Sequence, residues 1–323
     1  MELKPSDKKL LSYLYQNNRD SFKKISKATN LSRQQVEYRV KNYIKIGLIK
    51  KFATFFNYSS LGYNYMVILF LKFSKQEYLK EFSDSLTSLG FCISKGEVYN
   101  DYDLFINSIF RNEAEFTEIL NNLLDEYKGK ISDYRIIKPI SMIKYPLKFI
   151  KNKEEEIEIN FTTESITLDK KEIKILRLLE QDSRIKIIDI ANSINISAEL
   201  VLYKLKRLYE KKMILGSRIL FDMEKLGYNF SVIGLTMSTL SNKVQSKIKE
   251  FSKQSLHVNS VIFTISKPNC YIQLFHKDER ELRREIYKLK KLFSEELLHL
   301  EILLIEGEKE ANTLPFLGAI NVK

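Results

Sequence analysis

The chain has 323 residues, 44% of them hydrophobic and 29% charged, which is enough for two or more globular domains of about 100–200 residues each. No apolar run approaches the roughly 18 residues of a membrane helix, and the opening MELKPSDKKL lacks the apolar core of a signal peptide, so we expect a cytoplasmic protein. The net charge of +12 predicts a polyanionic partner, and the two cysteines, Cys92 and Cys270, lie among apolar neighbours and are predicted to be buried thiols.

An internal repeat organises the chain. The tetrapeptide LGYN stands at 61–64 and again at 226–229, an offset of 165 residues. The same offset, without a gap, repeats many residues of the preceding segment. They are Leu11, Leu14, Gln16, Arg19, Ile25, Asn30, Ser32, Val36, Tyr38, Lys41, Ile49 and Phe56 in the first copy. Self-similarity of this kind predicts a duplicated structural module.

Each copy begins with a helical part. SDKKLLSYLYQNN predicts a first helix behind a Ser6 cap, and SFKKISKATN a second that ends at Asn30. LSRQQVEYRVKNYIKIG predicts a third that begins after Ser32 and stops at Gly47. LIKKFATFFNY then alternates loosely, as a two-stranded wing does. Three short helices followed by a hairpin describe a winged helix-turn-helix.

The second part of each copy alternates strands and helices. From residue 66 the runs are MVILFLKF, SKQEYLKEFSDSLTSLG, FCISKGEVY, DLFINSIF, EAEFTEILNNLLDEY and ISDYRIIKPI, and the order returns from residue 230. The order βαββαβ predicts a ferredoxin-like domain, in which two helices cover one face of an antiparallel sheet. The other face must be covered too, most simply by a second such sheet.

The predicted fold class is therefore α+β, with two winged helix-turn-helix domains that are each followed by a ferredoxin-like βαββαβ sandwich domain. We expect the winged helices at 1–62 and 167–227 and the sheet domains at 63–146 and 228–323. Between them, 147–166 is predicted to be a linker. Its stretch EIEINFT alternates and favours an added strand, with a free linker as the alternative.

These motifs resemble the Lrp/AsnC family, the feast-or-famine regulators of bacteria and archaea. The resemblance rests on SDKKLLSYL, the block LSRQQVEYRVKNYIKIGLI, LGYNY and NDYDLF, and it extends over nearly the whole chain, twice. It implies double-stranded DNA as the partner and pairing through the sheet domains. Members usually carry one unit per chain, so two units imply an intramolecular pseudo-dimer, with a homo-oligomer as the alternative.

The charge lies where DNA contacts are expected. Residues 1–60 carry 13 Lys and Arg against 4 Asp and Glu, and residues 166–226 carry 13 against 9. These two surpluses account for the whole net charge, so the sheet domains and linker are nearly neutral. An evenly basic protein would not concentrate its charge on the helix-turn-helix segments.

The third helix of the first copy supplies most of the candidate DNA-binding residues. Arg pairs with guanine and Gln with adenine in the major groove, so Arg33, Gln34 and Gln35 at its leading end are predicted to read bases. Phosphate contacts are predicted for the cations behind them and in the wing. The full set is Ser32, Arg33, Gln34, Gln35, Tyr38, Arg39, Lys41, Asn42, Lys45, Lys50 and Lys51. The alternative is a solvated helix face.

The third helix of the second copy has fewer residues suited to recognising bases. Its leading end is SAELV at 197–201, with no Arg or Gln and with a carboxylate that phosphates repel. The cations left for backbone contact are Lys204, Lys206, Arg207, Lys211 and Lys212. We therefore expect two unequal halves, the first sequence-specific and the second mainly electrostatic.

The resemblance also implies a small-molecule effector, such as an amino acid, at a turn of the sheet domain. That turn is Asn100, Asp101, Tyr102 and Asp103 here, with Asn where the family has Gly, and the second copy has SKPNCYIQ without either Asp. The alternative is that these turns only close hairpins.

Enzymatic functions find little support in the motifs. No P-loop, GxGxxG, nucleophile elbow or HExxH occurs, and His257, His276 and His299 have no metal-like spacing, so we expect no catalytic residue, metal or cofactor. Haem-pathway decarboxylases that resemble this family act on a tetrapyrrole with the same architecture and remain an alternative. The stretch LTSLGFCISKGE lacks the His-rich turn that they carry, and only His257 lies in the matching place. A third class is an assembly module that has lost DNA binding.

Overall fold

The computed structural model describes residues 3–86, 89–99, 101–150, 156–161, 166–310 and 314. The helices are α1 (Pro5–Gln16), α2 (Phe22–Thr29), α3 (Arg33–Lys45), α4 (Gln76–Ser85), α5 (Glu113–Glu126), α6 (Lys170–Gln181), α7 (Ile187–Ile194), α8 (Ala198–Glu210), α9 (Asn242–Gln254) and α10 (Glu279–Leu292). The strands are β1 (Ile49–Phe56), β2 (Tyr65–Phe73), β3 (Cys92–Tyr99), β4 (Leu104–Phe110), β5 (Ile131–Ile137), β6 (Pro139–Lys144), β7 (Ile157–Asn160), β8 (Ile214–Phe221), β9 (Asn229–Met237), β10 (Val258–Thr264), β11 (Cys270–His276) and β12 (Leu297–Glu310).

The chain forms two compact units, and each contains both copies of one domain type. One unit holds the first headpiece, residues 3–57, and the second headpiece, residues 166–228. The other holds the first sheet domain, β2 to β5 with α4 and α5, and the second sheet domain, β9 to β12 with α9 and α10. Among the described residues, no helix is long and apolar enough to cross a membrane.

Local sequence signals place the helices of the first headpiece. Asn30 has φ 58°, the left-handed conformation that ends α2. The Ser32 hydroxyl accepts a hydrogen bond from the Gln35 N–H at 3.1 Å and thereby caps α3. The predicted Ser6 cap is wrong, because α1 begins at Pro5 after Lys4, and the Lys4 N–H donates to the Asp7 carboxylate at 3.2 Å.

The predicted two-stranded wing in each copy is also wrong in detail. Each headpiece contributes one strand, and β1 pairs with β8 of the other copy in an antiparallel ribbon that runs from Ile49 opposite Phe221 to Phe56 opposite Ile214. A lone alternating strand looks the same in sequence whether its partner is four residues away or in the other repeat. The headpieces therefore contact each other directly.

A reciprocal pair of arginines ties the two headpieces together. Arg19 donates to the backbone carbonyls of Ser183 and Ile185, and Arg184, the repeat counterpart of Arg19, donates to the carbonyl of Asp20 at 3.2 Å. Contacts in which residue i meets j and its counterpart repeats the contact in reverse are the mark of two-fold pairing. The repeat of Arg19 as Arg184 therefore has a structural cause.

The sheet domains have the predicted βαββαβ order and join into one ten-stranded sheet with the order β5-β2-β4-β3-β12-β9-β11-β10-β6-β7. The edge strands β3 and β12 pair antiparallel, with Leu304 opposite Tyr99. On one face of each half the helices cover an apolar core, to which Phe82 and Phe116 contribute in the first sheet domain. The linker contributes β7, which pairs with β6.

The helix-free faces of the two halves pack against each other, as the need to cover them predicts. Phe70 and Phe105 of the first sheet domain share a core with Tyr271 and Leu303 of the second. Across this core the Arg135 guanidinium lies 3.0 Å from the Glu301 carboxylate. The tandem copies thus form a pseudo-dimer within one chain.

The repeated LGYN has a conformational cause. Gly62 has φ 88° and Gly227 has φ 78°, and each ends a short turn, in which its N–H donates to the carbonyl of Ser59 or Glu224. Only glycine adopts this left-handed conformation at no steric cost. Both copies therefore need Gly at the same place.

Both cysteines are buried and free, as predicted. Burial raises the pKa of Cys92 to about 11 and raises that of Cys270 further. Because the thiolate is the reactive form, these are inert core residues at neutral pH.

The second sheet domain buries an imidazole, so the stability of the protein should depend on pH. His276, 5% exposed, shares a hydrogen bond of 2.9 Å with the Ser231 hydroxyl, and burial lowers its pKa below the usual value. The unfolded chain binds a proton at His276 more tightly than the folded chain does. The stability that comes from the neutral, buried imidazole is therefore fully present above about pH 6.5 and is lost as the pH falls. We expect the midpoint of urea unfolding to decrease from pH 7 to pH 5 in the wild type.

The variant His276→Gln, which cannot titrate, should show a weaker decrease in this midpoint. An equal decrease in both proteins would contradict the assignment.

Candidate nucleic-acid interface

The third helix of the first headpiece presents a mixed polar and basic surface. Its inner face is fixed by Val36, Val40 and Tyr43, which are buried. On the outer face the predicted residues Arg33, Gln34, Gln35, Tyr38, Lys41 and Lys45 are exposed, and Asn42 is half-buried. The Tyr38 side chain is 72% exposed.

Ser32 and Gln35 serve the helix itself. The Ser32 N–H donates to the Gln35 side-chain oxygen at 2.9 Å, while the Ser32 hydroxyl accepts from the Gln35 N–H. This reciprocal pair is a capping box, and it occupies the amide oxygen that adenine recognition would need. Of the three residues predicted to read bases, Arg33 and Gln34 are the two that do not take part in the capping box.

The predicted cations of the first headpiece differ in how far they are neutralised. Within the described part of the chain, Arg33 and Lys45 make no hydrogen bond or ion pair. The Lys41 ammonium lies 2.8 Å from the Glu37 carboxylate. Lys50 is exposed, and its ammonium lies 4.0 Å from the Asp222 carboxylate. Lys51 is half-buried on β1. Arg33 and Lys45 are therefore the cations most available to an external anion.

The structure gives Arg39 a different role from the predicted phosphate contact. Its guanidinium lies 2.8 Å from the Asp7 carboxylate and donates to the Ser6 hydroxyl at 2.8 Å. The two bonds tie α3 to the start of α1 inside the headpiece. A charge satisfied in this way is not free for DNA.

The second headpiece shows the same contrast. Lys204 is only 7% exposed and forms an ion pair with Asp169, and the guanidinium of Arg207 lies 3.2 Å from the carboxylate of Glu172, which is fully buried. Both cations hold α8 against α6 and were wrongly predicted to face phosphates. The cations that remain outside are Lys206, Lys211 and Lys212, which are exposed.

The leading end of α8 is apolar and acidic. Ala198, Glu199 and Leu200 stand where the first headpiece has Arg33, Gln34 and Gln35. Beside them Leu202 and Tyr203 are exposed. This surface has no group that could read a base edge through a pair of hydrogen bonds.

Two further exposed cations were not among the residues predicted from the sequence. Lys23 and Lys27 are exposed on α2, one turn apart, and make no hydrogen bond or ion pair within the described residues. In a helix-turn-helix the helix before the recognition helix crosses the DNA backbone. The sequence did indicate them, because their spacing places both lysines on the side of α2 opposite the buried Ile25.

The predicted effector turn is mostly engaged in the fold. Asn100 lies outside the described residues. Asp103 accepts a hydrogen bond from the Phe73 N–H at 2.7 Å, and the Tyr102 ring is buried against the Arg135 guanidinium, 5.0 Å from the ring centre. Asp101 is exposed but has interactions of its own. These contacts are what the hairpin-closing interpretation predicts.

Comparison with known proteins identifies the class. The family described as winged helix-turn-helix DNA-binding matches residues 3–50 and 168–214, one match in each headpiece. The HTH-type transcriptional regulator FL11 of Pyrococcus furiosus is 30% identical over 119 residues, which cover 37% of this chain and 76% of that protein. The leucine-responsive regulatory protein of Rhizobium meliloti is 31% identical over 90 residues, 28% of this chain and 56% of that protein.

The chain belongs to the Lrp/AsnC family of HTH-type transcriptional regulators, and it is a tandem duplication of the family unit. The whole tandem fold also has a solved counterpart. The siroheme decarboxylase NirDL superposes with a TM-score of 0.65 over 96% of both chains at 12% identity, which shows likeness of fold alone.

The capping box separates two neighbouring glutamines by role. Gln35→Ala should lower the free energy of unfolding by about 0.5–1 kcal/mol, because it removes the hydrogen bond to the Ser32 N–H. Gln34→Ala is the matched control at an exposed position and should leave stability unchanged. Urea unfolding of both variants tests this, and equal losses would contradict the assignment of Gln35.

Proposed function

We propose that this protein is a DNA-binding transcriptional regulator in which the first headpiece reads sequence and the second holds the DNA backbone. The observation that carries the proposal is a set of exposed cations on two neighbouring helices of the first headpiece that make no hydrogen bond or ion pair within the described chain. They are Lys23, Lys27, Arg33 and Lys45. Unpaired cations gathered on one helix-turn-helix favour a polyanion as the partner.

Specific reading is assigned to three residues of α3. The Arg33 guanidinium is suited to the two acceptors of guanine, and the Gln34 amide to the edge of adenine. The exposed ring of Tyr38 offers apolar contact to a thymine methyl group. Lys23, Lys27 and Lys45 surround these residues and are assigned to phosphates, which fix the position of the helix but carry no sequence information.

The second headpiece is assigned an electrostatic role. Its exposed cations Lys206, Lys211 and Lys212 can meet phosphates, with Lys206 also 3.7 Å from the Glu210 carboxylate. Glu199 at the leading end of α8 would oppose the close approach of phosphates. Because β1 and β8 pair directly, the spacing of the two headpieces is built into the headpiece unit. The operator should then consist of one strongly read half-site and one weakly read half-site about one helical turn, or a multiple, away.

Two variants of α3 separate base reading from phosphate contact. Arg33→Ala should reduce the difference in binding free energy between the selected duplex and a scrambled one by about 1–3 kcal/mol, because a two-bond contact to guanine is lost. Lys45→Ala should weaken binding to all sequences alike and lower the slope of log K against log salt by about 0.9. Fluorescence anisotropy with a selected duplex and a scrambled one measures both quantities.

The matched control is Lys243→Ala, which removes an exposed charge from the second sheet domain and should change neither quantity. Equal effects of Arg33→Ala on both duplexes would contradict base reading. Footprints of equal strength over two matching half-sites would contradict unequal headpieces. Binding to no duplex at low salt would overturn the proposal as a whole.

We infer that the chain is not an enzyme, since the relatives in its family are named regulators. The likeness to siroheme decarboxylase motivates the second candidate, a tetrapyrrole enzyme, and His257 does line a cavity of about 320 Å³. That volume is at the lower end of the roughly 300–1,000 Å³ of ligand pockets, which favours a molecule smaller than a macrocycle. Addition of an iron tetrapyrrole should therefore give no shifted Soret band, and a stoichiometric shift would support the enzyme.

A further inference from the structure

The two sheet domains carry opposite chemistry at several equivalent positions. The helices α5 and α10 are both 14 residues long, and each follows an Asx cap, Asn112 or Asp278, that accepts from the N–H of a Glu in the first turn. The strand pairs β3–β4 and β10–β11 also match, with the same irregularity after Cys92 and Val258. From β3 onward the structural offset is thus 166 residues, one more than in the headpieces.

This offset aligns three apolar core residues of the first sheet domain with three titratable residues of the second. Phe91 corresponds to His257, Phe110 to His276 and Ile119 to Glu285. In the first domain Phe91, Phe110 and Ile119 line a space of only about 10 Å³, roughly enough for one water molecule. In the second domain His257 and Glu285 line a cavity of about 320 Å³.

The polar residues are held in fixed orientations. Glu285 is only 2% exposed, and its carboxylate accepts from the Ser255 hydroxyl at 2.7 Å and from the Lys288 ammonium at 2.6 Å. His276 is held between Ser231 and the carbonyl of Asp278. Replacing hydrophobic core by buried titratable groups costs stability, so departures of this kind from core rules are expected at functional sites.

The hydrogen bonds determine which face of His257 is open. Its Nδ1 lies 3.0 Å from the Phe275 carbonyl, which can only accept, so Nδ1 carries the proton of the neutral ring. The Nε2 atom then keeps its lone pair and can accept a hydrogen bond from a ligand. No described residue is paired with this nitrogen.

The charges of the lining define the rest of the ligand. Arg284 lines the cavity, is exposed, and makes no hydrogen bond or ion pair with the part of the chain described, so its fork of donors is available to a carboxylate. Of the two acids in the lining, Glu285 accepts from Ser255 and Lys288. Glu281 accepts from the Lys277 N–H at 2.7 Å and lies 3.8 Å from His257 Nδ1.

We propose that the cavity between the end of α9, residues 255–257 and α10 binds a small hydroxycarboxylate, whose carboxylate pairs with Arg284 and whose hydroxyl donates to His257 Nε2. This site lies in the second sheet domain only, away from the turn at residues 101–103. It does not depend on DNA binding, and its test contains no DNA.

The chain has three histidines, so their ring signals report on the site directly. Ring carbon–proton NMR spectra of the full-length protein are recorded during titration with lactate, malate or citrate. Each acid has a partner that lacks the hydroxyl, namely propionate, succinate or tricarballylate. We expect at least one hydroxy acid to shift the His257 signal saturably, while the exposed His299 stays unchanged.

The partner without the hydroxyl should bind about 2–10-fold more weakly, because one hydrogen bond is lost. Arg284→Gln should weaken binding by about 10-fold or more, because the charged contact to the carboxylate is lost. Arg283→Gln is the matched control, since its guanidinium already pairs with Glu279 at 2.8 Å and it does not line the cavity.

Three results would overturn the proposal. The first is no movement of the His257 signal with any of the three hydroxy acids at about 10 mM, ten times a dissociation constant of 1 mM. The second is equal binding by wild type and Arg284→Gln. The third is binding of alanine, which has an ammonium in place of the hydroxyl of lactate, as tight as that of lactate.

Discussion

Pairing between the two repeats is the constraint on which the rest of the structure depends. A ferredoxin-like sheet has one face that its own helices do not cover, and among the described residues the strand of each headpiece pairs only with the strand of the other copy. The chain satisfies both needs internally, through the core shared by Phe70 and Tyr271 and through the β1–β8 ribbon. Because the partner is covalently attached, its effective concentration is high and independent of protein concentration.

A covalent partner also frees the two copies to diverge. In a symmetric homodimer each substitution appears twice, so a base-reading helix or a buried carboxylate would be present in both halves. Here Arg33 faces solvent in one copy while Ala198 does so in the other, and Ile119 fills a core position that Glu285 holds in its counterpart. The duplication therefore allows one half to keep a role that the other has lost, and this applies to headpieces and sheet domains alike.

Sequence periodicity predicted the helices, the βαββαβ order and the turn at Asn30, because these depend on local conformation. It could not predict the partner of β1, since alternation is the same in a hairpin and in a ribbon between repeats. It also misplaced Arg39 and Lys204, whose carboxylate partners lie more than thirty residues away. One signal was available: a cation recurs at this position in both copies while the residues at the leading end of the helix diverge, which indicates a structural role.

Likeness of the whole fold does not assign an activity to this chain, so its residues must decide the activity. The tandem architecture matches a siroheme decarboxylase over 96% of its length, yet one architecture can host unrelated functions. What distinguishes this chain is the use of its charge. Arg39, Lys204 and Arg207 are neutralised inside the headpieces, where the fold needs them. Arg33 and Lys45 have no such internal use, and a surplus that the fold does not consume is available to an external polyanion.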